Sequence, residues 1–255
     1  MCVDRSVDDD TPVESAETVE PAETDKAPDD ASGRRDPEAA EELQARRQAH
    51  EELQASAADA YRAYAIEQGC DRVRHIEQTV ITPAMHRLEA EDPSRRLIGL
   101  EFRLKGPDRL SEKVAEAVQE RGHSVAEAFA LVKDAIRYTF CYPEDRYCDG
   151  VLADCERLEA AGFVRFDRKN SWDGGEYKGI NSRWRAPNSG QLFEVQFHTQ
   201  ASFAAKQETH GAYERLRVLP KDEAEVRQLR VYQREVTAKV PIPPGAADIP
   251  DYRYQ

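Results

Sequence analysis

The chain contains no apolar run approaching the roughly 18 residues of a membrane-spanning helix, so nothing in it is expected to cross a bilayer. It lacks a basic start followed by an apolar stretch, so no secretory signal is read. A cytoplasmic location is expected, with export by another route left open. Cysteine is sparse and unpatterned: Cys2, Cys70, Cys141, Cys148 and Cys155 include no Cys-x-x-Cys, and the last three are spaced by seven. That spacing suits no usual zinc site and favours reduced, structural thiols. Positive charge is also short, with 36 Lys and Arg against 49 Asp and Glu and a net charge of −13. Residues 1–32 account for −9 of this, and the remaining −4 argues neither for nor against a polyanionic ligand; nucleic acid is read as an unlikely partner because the chain shows little sign of a basic surface. Internal repeats are absent.

What is present divides unevenly. Residues 1–32 hold eleven acids against Arg5 and Lys26, with no aromatic residue and no apolar periodicity. Such a segment cannot bury enough surface to offset its ordering entropy, so residues 1–36 are expected to be a disordered acidic tail. Residues 37–240 are read as one domain with a core at 95–217, and 241–255 as a Pro-rich extended tail.

Asp36-Pro37 opens a helical region, and Leu43, His50, Leu53, Ala57, Ala60 and Tyr64 recur at helical spacing over 38–68. A second helix is expected over about 69–90, interrupted near Pro83. Further helices are read at 108–120, around Ser124 to Val132 with a Ser124–Glu127 capping box, at 147–161 ended by Gly162, at 200–216 and at 221–238. Strands are expected at 98–105, 135–142, 163–166, 180–185 and 191–198, the last two joined by a turn at 187–190. A helical N-terminal part followed by β-α-β and a hairpin indicates α+β, a mixed sheet flanked by helices.

Along the last strand Leu192, Glu194, Gln196 and His198 share one face, and Phe193, Val195 and Phe197 the other. An acid, an amide and an imidazole in register read as a site at the rim of a sheet, the alternative being an edge strand with a polar outer face. Arg103, Lys105, Arg109 and Lys113 surround the Gly106-Pro107 turn at a helix start, either a phosphate cradle or a solvated basic turn. Asp134 at the entry to a strand, with Glu194 on its neighbour, supplies the carboxylate pair that Mg²⁺ takes alongside phosphates. The bland reading of Asp134 is a loop carboxylate. Tyr177, after a Gly-Gly turn and beside Lys178, is placed either to stack on a base or to cover the core edge. His210 reads as a core histidine.

Arg103-x-Lys105 with Lys113 eight further on, Lys133-Asp134 before a strand, Tyr177-Lys178-Gly179, and Glu194-Val195-Gln196-Phe197-His198-Thr199 together resemble the RelA/SpoT-type pyrophosphokinase domain. Within it they are most similar to actinobacterial ATP nucleotide 3′-pyrophosphokinases and toxin-like alarmone synthetases. Ser202, Lys206, His210, Tyr213 and Arg217 continue the pattern, and the likeness spans about residues 95–217. The resemblance implies transfer of the β,γ-pyrophosphate of ATP to the 3′-hydroxyl of a purine nucleotide, with Mg²⁺ as cofactor. It implies donor binding by Arg103, Lys105, Arg109, Lys113 and Arg137, and metal binding by Asp134 and Glu194, with Glu194 also taking the hydroxyl proton. Acceptor binding would fall to Tyr177, Lys178, Asn181, Gln196 and His198. Asn181 stands where many alarmone synthetases carry His, and His198 where they carry Arg, so guanine is not fixed as the acceptor base. No His-Asp pair of the hydrolase kind is present. Unregulated synthesis would drain ATP, so a toxin or effector role and an immunity or antitoxin partner are corollaries. The competing readings are pyrophosphorylation of the tRNA 3′ end and a non-catalytic nucleotide-binding module.

Overall fold

The computed structural model describes residues 37–220 and 224–254, so the expected disordered tail lies outside the described residues. The chain divides into two compact units, Met1–Glu52 and Leu53–Gln255. The first is seen as exposed helix from residue 37, laced by an Arg46–Glu42 pair one turn apart. Apart from the first part of the opening helix, everything below concerns the second.

Helix α1 runs Pro37–Ile76, a π turn covers Glu77–Ile81, and α2 continues over Thr82–Glu91. The expected break near Pro83 is therefore a wider turn inside a continuous helical path, and the expected end at residue 68 does not occur. Pro83 has no N–H to donate, and its ring would press on the carbonyl one turn back in an unbroken α-helix. The π turn relieves this by inserting a residue, with the Thr82 N–H donating to Glu77 O. The apolar stripe read from the sequence is largely exposed, with Leu53 at 69% and Tyr64 at 58%. The face that enters the core is Ile66, Cys70 and Val73, a turn further on.

Strand β1 is short, Arg96–Ile98. The expected strand over 98–105 fails because Gly99 takes φ 66° and turns the chain into a 3₁₀ turn at Leu100–Phe102. Leu104 then regains a single antiparallel bridge to Ile136. Helix α3 (Pro107–Arg121) starts on Pro107, and α4 (Val125–Leu131) starts on the expected Ser124–Glu127 capping box, with both reciprocal bonds formed. Then come β2 (Arg137–Tyr142), α5 (Tyr147–Ala160), β3 (Val164–Asn170), β4 (Ile180–Arg185) and β5 (Leu192–Thr199).

Helices α6 (Gln200–Glu208) and α7 (His210–Val218) replace the single expected helix over 200–216. The Thr209 hydroxyl bonds back to Ala205 O at 2.8 Å and competes with the helical ladder at the junction. Helix α8 is Ala224–Thr237, and β6 is Tyr252–Arg253.

The strands form one mixed sheet in the order β1-β2-β5-β4-β3-β6, with β2 and β5 parallel and the other pairs antiparallel. The molecule is α+β, with helices flanking that sheet. Strand β5 lies inside the sheet, not at its rim, because β2 and β4 pair along its two sides. Residues 241–254, expected as a tail, return to the sheet. Tyr252 and Arg253 pair with β3, Ile249 is 5% exposed, and the Asn170 amide donates to Ala246 O at 2.7 Å and Ile249 O at 2.8 Å. Proline bars a continuous α-helix in this stretch, which keeps only a 3₁₀ turn at Ala246–Asp248, but it does not prevent packing. Among the described residues no helix is long and apolar enough to cross a membrane.

Candidate active site

Register builds the site. Residues paired across neighbouring strands present their side chains to the same face. Asp167 pairs with Arg183, Arg183 with Glu194, and Glu194 with Arg137, which makes one charged rung across β3, β4, β5 and β2. The next rung, Lys169–Asn181–Gln196–Thr139, is also polar throughout. The opposite face carries Tyr138, Ser182, Trp184, Val195 and Phe197, all buried. The sheet is thus apolar behind and ionic in front.

Within the first rung Arg183 grips Asp167 with two nitrogens, Nε lying 2.6 Å from Oδ1. Arg137 Nε donates to Glu194 Oε2 at 2.5 Å, and Gln196 Nε2 donates to the same oxygen at 3.2 Å. Glu194 Oε1 takes no hydrogen bond from the described residues. Just before β2, Asp134 meets Lys113 at 2.8 Å, Lys105 at 3.2 Å and Arg137 at 3.6 Å. Partial burial works against its charge, but the Lys113 hydrogen bond and the Lys105 field outweigh it and pull its carboxyl down to about 2. Arg137 is likewise half-buried. Burial opposes its charge, yet Glu194 and Asp134 hold the guanidinium above its ordinary value.

These groups line a cleft of about 340 Å³ that includes Lys113, Lys133, Asp134, Arg137, Asp167, Lys169, Asn181, Arg183 and Glu194. Five cations face three carboxylates there, a basic focus in an acidic chain. A larger groove of about 620 Å³ lies between α1, α4 and the β4–β5 turn. Its walls, among them Tyr64, Val73 and Phe129, offer no acid or base pair, whereas the smaller cleft brings acids and cations together.

Further along the same face, past the second rung, a neutral relay supports the site. Ser202 bonds His198 Nδ1 at 2.8 Å, His198 Nε2 meets the Tyr177 hydroxyl at 2.9 Å, and Tyr177 donates to Asn181 Oδ1 at 2.7 Å. Burial, with the Lys206 ammonium adding to it, pushes the His198 imidazole down to about 3, so it stays uncharged. Gly179 is required beside it: φ is 145°, and a Cβ would stand 2.9 Å from His198 Cε1.

The structure brings Lys113, Asp134, Arg137, Asn181 and Glu194 together in the cleft, with Lys105 on Asp134 and Gln196 one rung further. Other sequence-predicted residues lie elsewhere. Arg103 is held by Glu77 at 2.8 Å, and Arg109 is exposed outside the cleft. Lys178 donates to Trp172 O, and His198 is fully buried. Tyr177 is half-buried, its hydroxyl committed to the relay rather than free on a loop. Asp167, Lys169 and Arg183 were missed as site residues; Arg168 between Asp167 and Lys169, and Ser182 beside Arg183, leave no polar–apolar alternation to mark their face. Lys206 was noted only as part of a pattern, yet its ammonium lies 2.6 Å from Gln196 Oε1. Burial and Arg137 lower it to about 8 against the pull of Glu194.

Asp134 and Glu194 are two carboxylates on one cleft, and among the described residues no third His, Cys, Asp or Glu joins them in a metal-binding cluster. That donor set fits a Mg²⁺ ion arriving with polyphosphate, which needs one or two carboxylates and keeps several waters.

No protein-family model matches the chain, and no curated protein matches it in sequence. Among solved structures it is similar to the smu.1046c protein of Streptococcus mutans, at 15% identity and TM-score 0.45 over 65% of this chain and 86% of that one. It is similar to a GTP pyrophosphokinase family protein from Streptococcus pneumoniae, at 15% identity and TM-score 0.43 over 67% and 84%. A small alarmone synthetase 1 from Bacillus subtilis bound to its product pppGpp shares 17% identity and TM-score 0.43 over 67% and 88%. Likeness at this level carries no functional argument; the side chains of the cleft do.

Proposed function

We propose that the chain is an ATP:nucleotide 3′-pyrophosphotransferase of the RelA/SpoT type. One observation carries the reading: Glu194 stands in mid-sheet between Arg137 and Arg183, on a cleft where Lys113, Lys133 and Lys169 add further positive charge. Phosphoryl chemistry of this kind depends on holding two nucleotides in line and neutralising charge as it spreads, which such a cleft supplies. The acceptor 3′-oxygen attacks the β-phosphorus of ATP, the bond from that phosphorus to the α,β-bridging oxygen breaks, and AMP leaves. Glu194 takes the hydroxyl proton through the oxygen that Arg137 and Gln196 leave open. Asp134 and Glu194 would hold Mg²⁺, which supplies charge neutralisation on the phosphates when bound. The Asp134 ion pairs with Lys105 and Lys113 then reopen, and both lysines turn to phosphate.

The acceptor is a purine nucleotide, adenine or guanine, giving (p)ppApp- or (p)ppGpp-like products. A toxin or effector role, with a neutralising partner protein, follows if synthesis is unregulated. The test incubates the full chain with γ-labelled ATP, Mg²⁺ and each of AMP, ADP, ATP, GMP, GDP and GTP. Label in a 3′-modified nucleotide with release of AMP is expected. Glu194→Gln should still bind ATP while turnover falls at least about a hundredfold. Label retained in ATP with every acceptor would refute the reading, and transfer to added tRNA alone would move it to the tRNA 3′ end.

A further inference from the structure

Lys206 is an ammonium that forms no salt bridge among the described residues. It is half-buried on α6, lies over the Phe203 ring at 5.3 Å, and makes its hydrogen bond to a neutral amide oxygen, Gln196 Oε1. Keeping a cation so placed is costly unless it does something a neutral side chain could not. Its partner is 5% exposed, so water has little access to take over the contact.

The chemistry of the three groups fixes their orientation. An ammonium has three donors and no acceptor, whereas an amide has one end of each kind. Gln196 must therefore turn Oε1 to Lys206, which leaves Nε2 facing Glu194 Oε2 at 3.2 Å. The reversed amide would set N–H groups against an ammonium and a carbonyl oxygen against a carboxylate, two repulsive contacts at once. Arg137 donates to that same Glu194 oxygen. Both fixed donors thus converge on Oε2, and Oε1 is kept open toward the cleft.

We propose that Lys206 is a positioning residue that acts through Gln196 to dedicate one oxygen of Glu194 to the protein and the other to chemistry. The catalytic part of this rests on the function proposed above; the orientation of the amide does not. Burial, with Arg137 adding to it, lowers the Lys206 ammonium to about 8 against the pull of Glu194, in keeping with this placement.

Lys206→Met keeps the stem and removes the donor. In side-chain NMR, the Gln196 amide pair (identified by its loss in Gln196→Ala) should shift or broaden, and the Glu194 carboxyl carbon (identified through Glu194→Gln) should move. In the labelled-ATP assay kcat should fall about tenfold, the worth of one hydrogen bond to a charged group, with KM for both nucleotides within about twofold. Lys206→Arg, still a pure donor, should preserve the Gln196 signals, and ethylammonium should restore part of the rate in Lys206→Ala. Unmoved Gln196 and Glu194 signals in folded Lys206→Met would overturn the relay. So would a raised KM at unchanged kcat, which would make Lys206 a phosphate contact. If wild-type protein transfers no pyrophosphate, the function has failed, and the NMR arm alone still decides the relay.

Discussion

His198 shows how much at a single position depends on surroundings. As a residue type it suggests a phosphate or ribose contact; in place it is fully buried and neutral, bridging Ser202 and Tyr177. Burial first, and the Lys206 ammonium second, bring it down to about 3. The unfolded chain protonates this imidazole below its ordinary value of about 6.5, and the folded chain does not until about pH 3. Stability is then level above about pH 6.5 and falls by up to about 1.4 kcal/mol per pH unit below it. Urea denaturation at pH 7 and pH 5 should therefore differ by about 2 kcal/mol, before most carboxylates titrate. His198→Gln, although less stable at pH 7, should lose that slope. An equal loss in both proteins would show that His198 is not the titrating group.

Glu77 gives the same lesson at the scale of an element. The π turn at Glu77–Ile81 accommodates Pro83 and also rotates Glu77 inward to 0% exposure. There its Oε1 accepts from Arg103 at 2.8 Å, from the Tyr138 hydroxyl at 2.9 Å and from Thr82. Helix, loop and sheet meet at this carboxylate. Glu77→Ala should cost about 3 kcal/mol in chemical denaturation, since it leaves a guanidinium and two hydroxyls short of an acceptor. A loss below about 1 kcal/mol would mean that water replaces it. This junction was illegible in the sequence: Arg103 lies 26 positions from Glu77, and a basic residue at a turn gives no hint of a buried acid on a distant helix. The capping box at Ser124 and the bounds of β4 were legible, because a cap and a tight hairpin are decided within a few residues. Asp167 and Arg183 fall between these cases. Arg183 lies inside the strand expected at 180–185 and Asp167 one residue past that expected at 163–166, but their shared rung depends on the register of β3 against β4, with an irregularity at Arg165–Asp167, across a long loop. The C-terminal prolines could be read for what they prevent, not for the packing of Ile249 and Tyr252 on the sheet.

Over the whole molecule, charge separates the proposed substrate from other polyanions. The chain carries −13, yet its cleft lines five cations against three carboxylates. A compact phosphate ligand inside the cleft feels the local cations at short range. A polynucleotide lying across the surface feels the whole acidic molecule. ATP affinity should accordingly weaken with salt, by about tenfold between 0.05 and 0.5 M, as screening reaches partly open groups such as Lys113. A tRNA or duplex DNA should show no binding at about 0.15 M salt, because the net charge of −13 on the full chain opposes it. Calorimetry for ATP and a gel-shift for tRNA under the same buffers make the comparison. Salt-insensitive ATP binding would mean that the cleft cations stay paired to Asp134, Asp167 and Glu194 in the complex. Tight tRNA binding would instead reveal a basic surface outside the cleft and favour the tRNA 3′ end as acceptor.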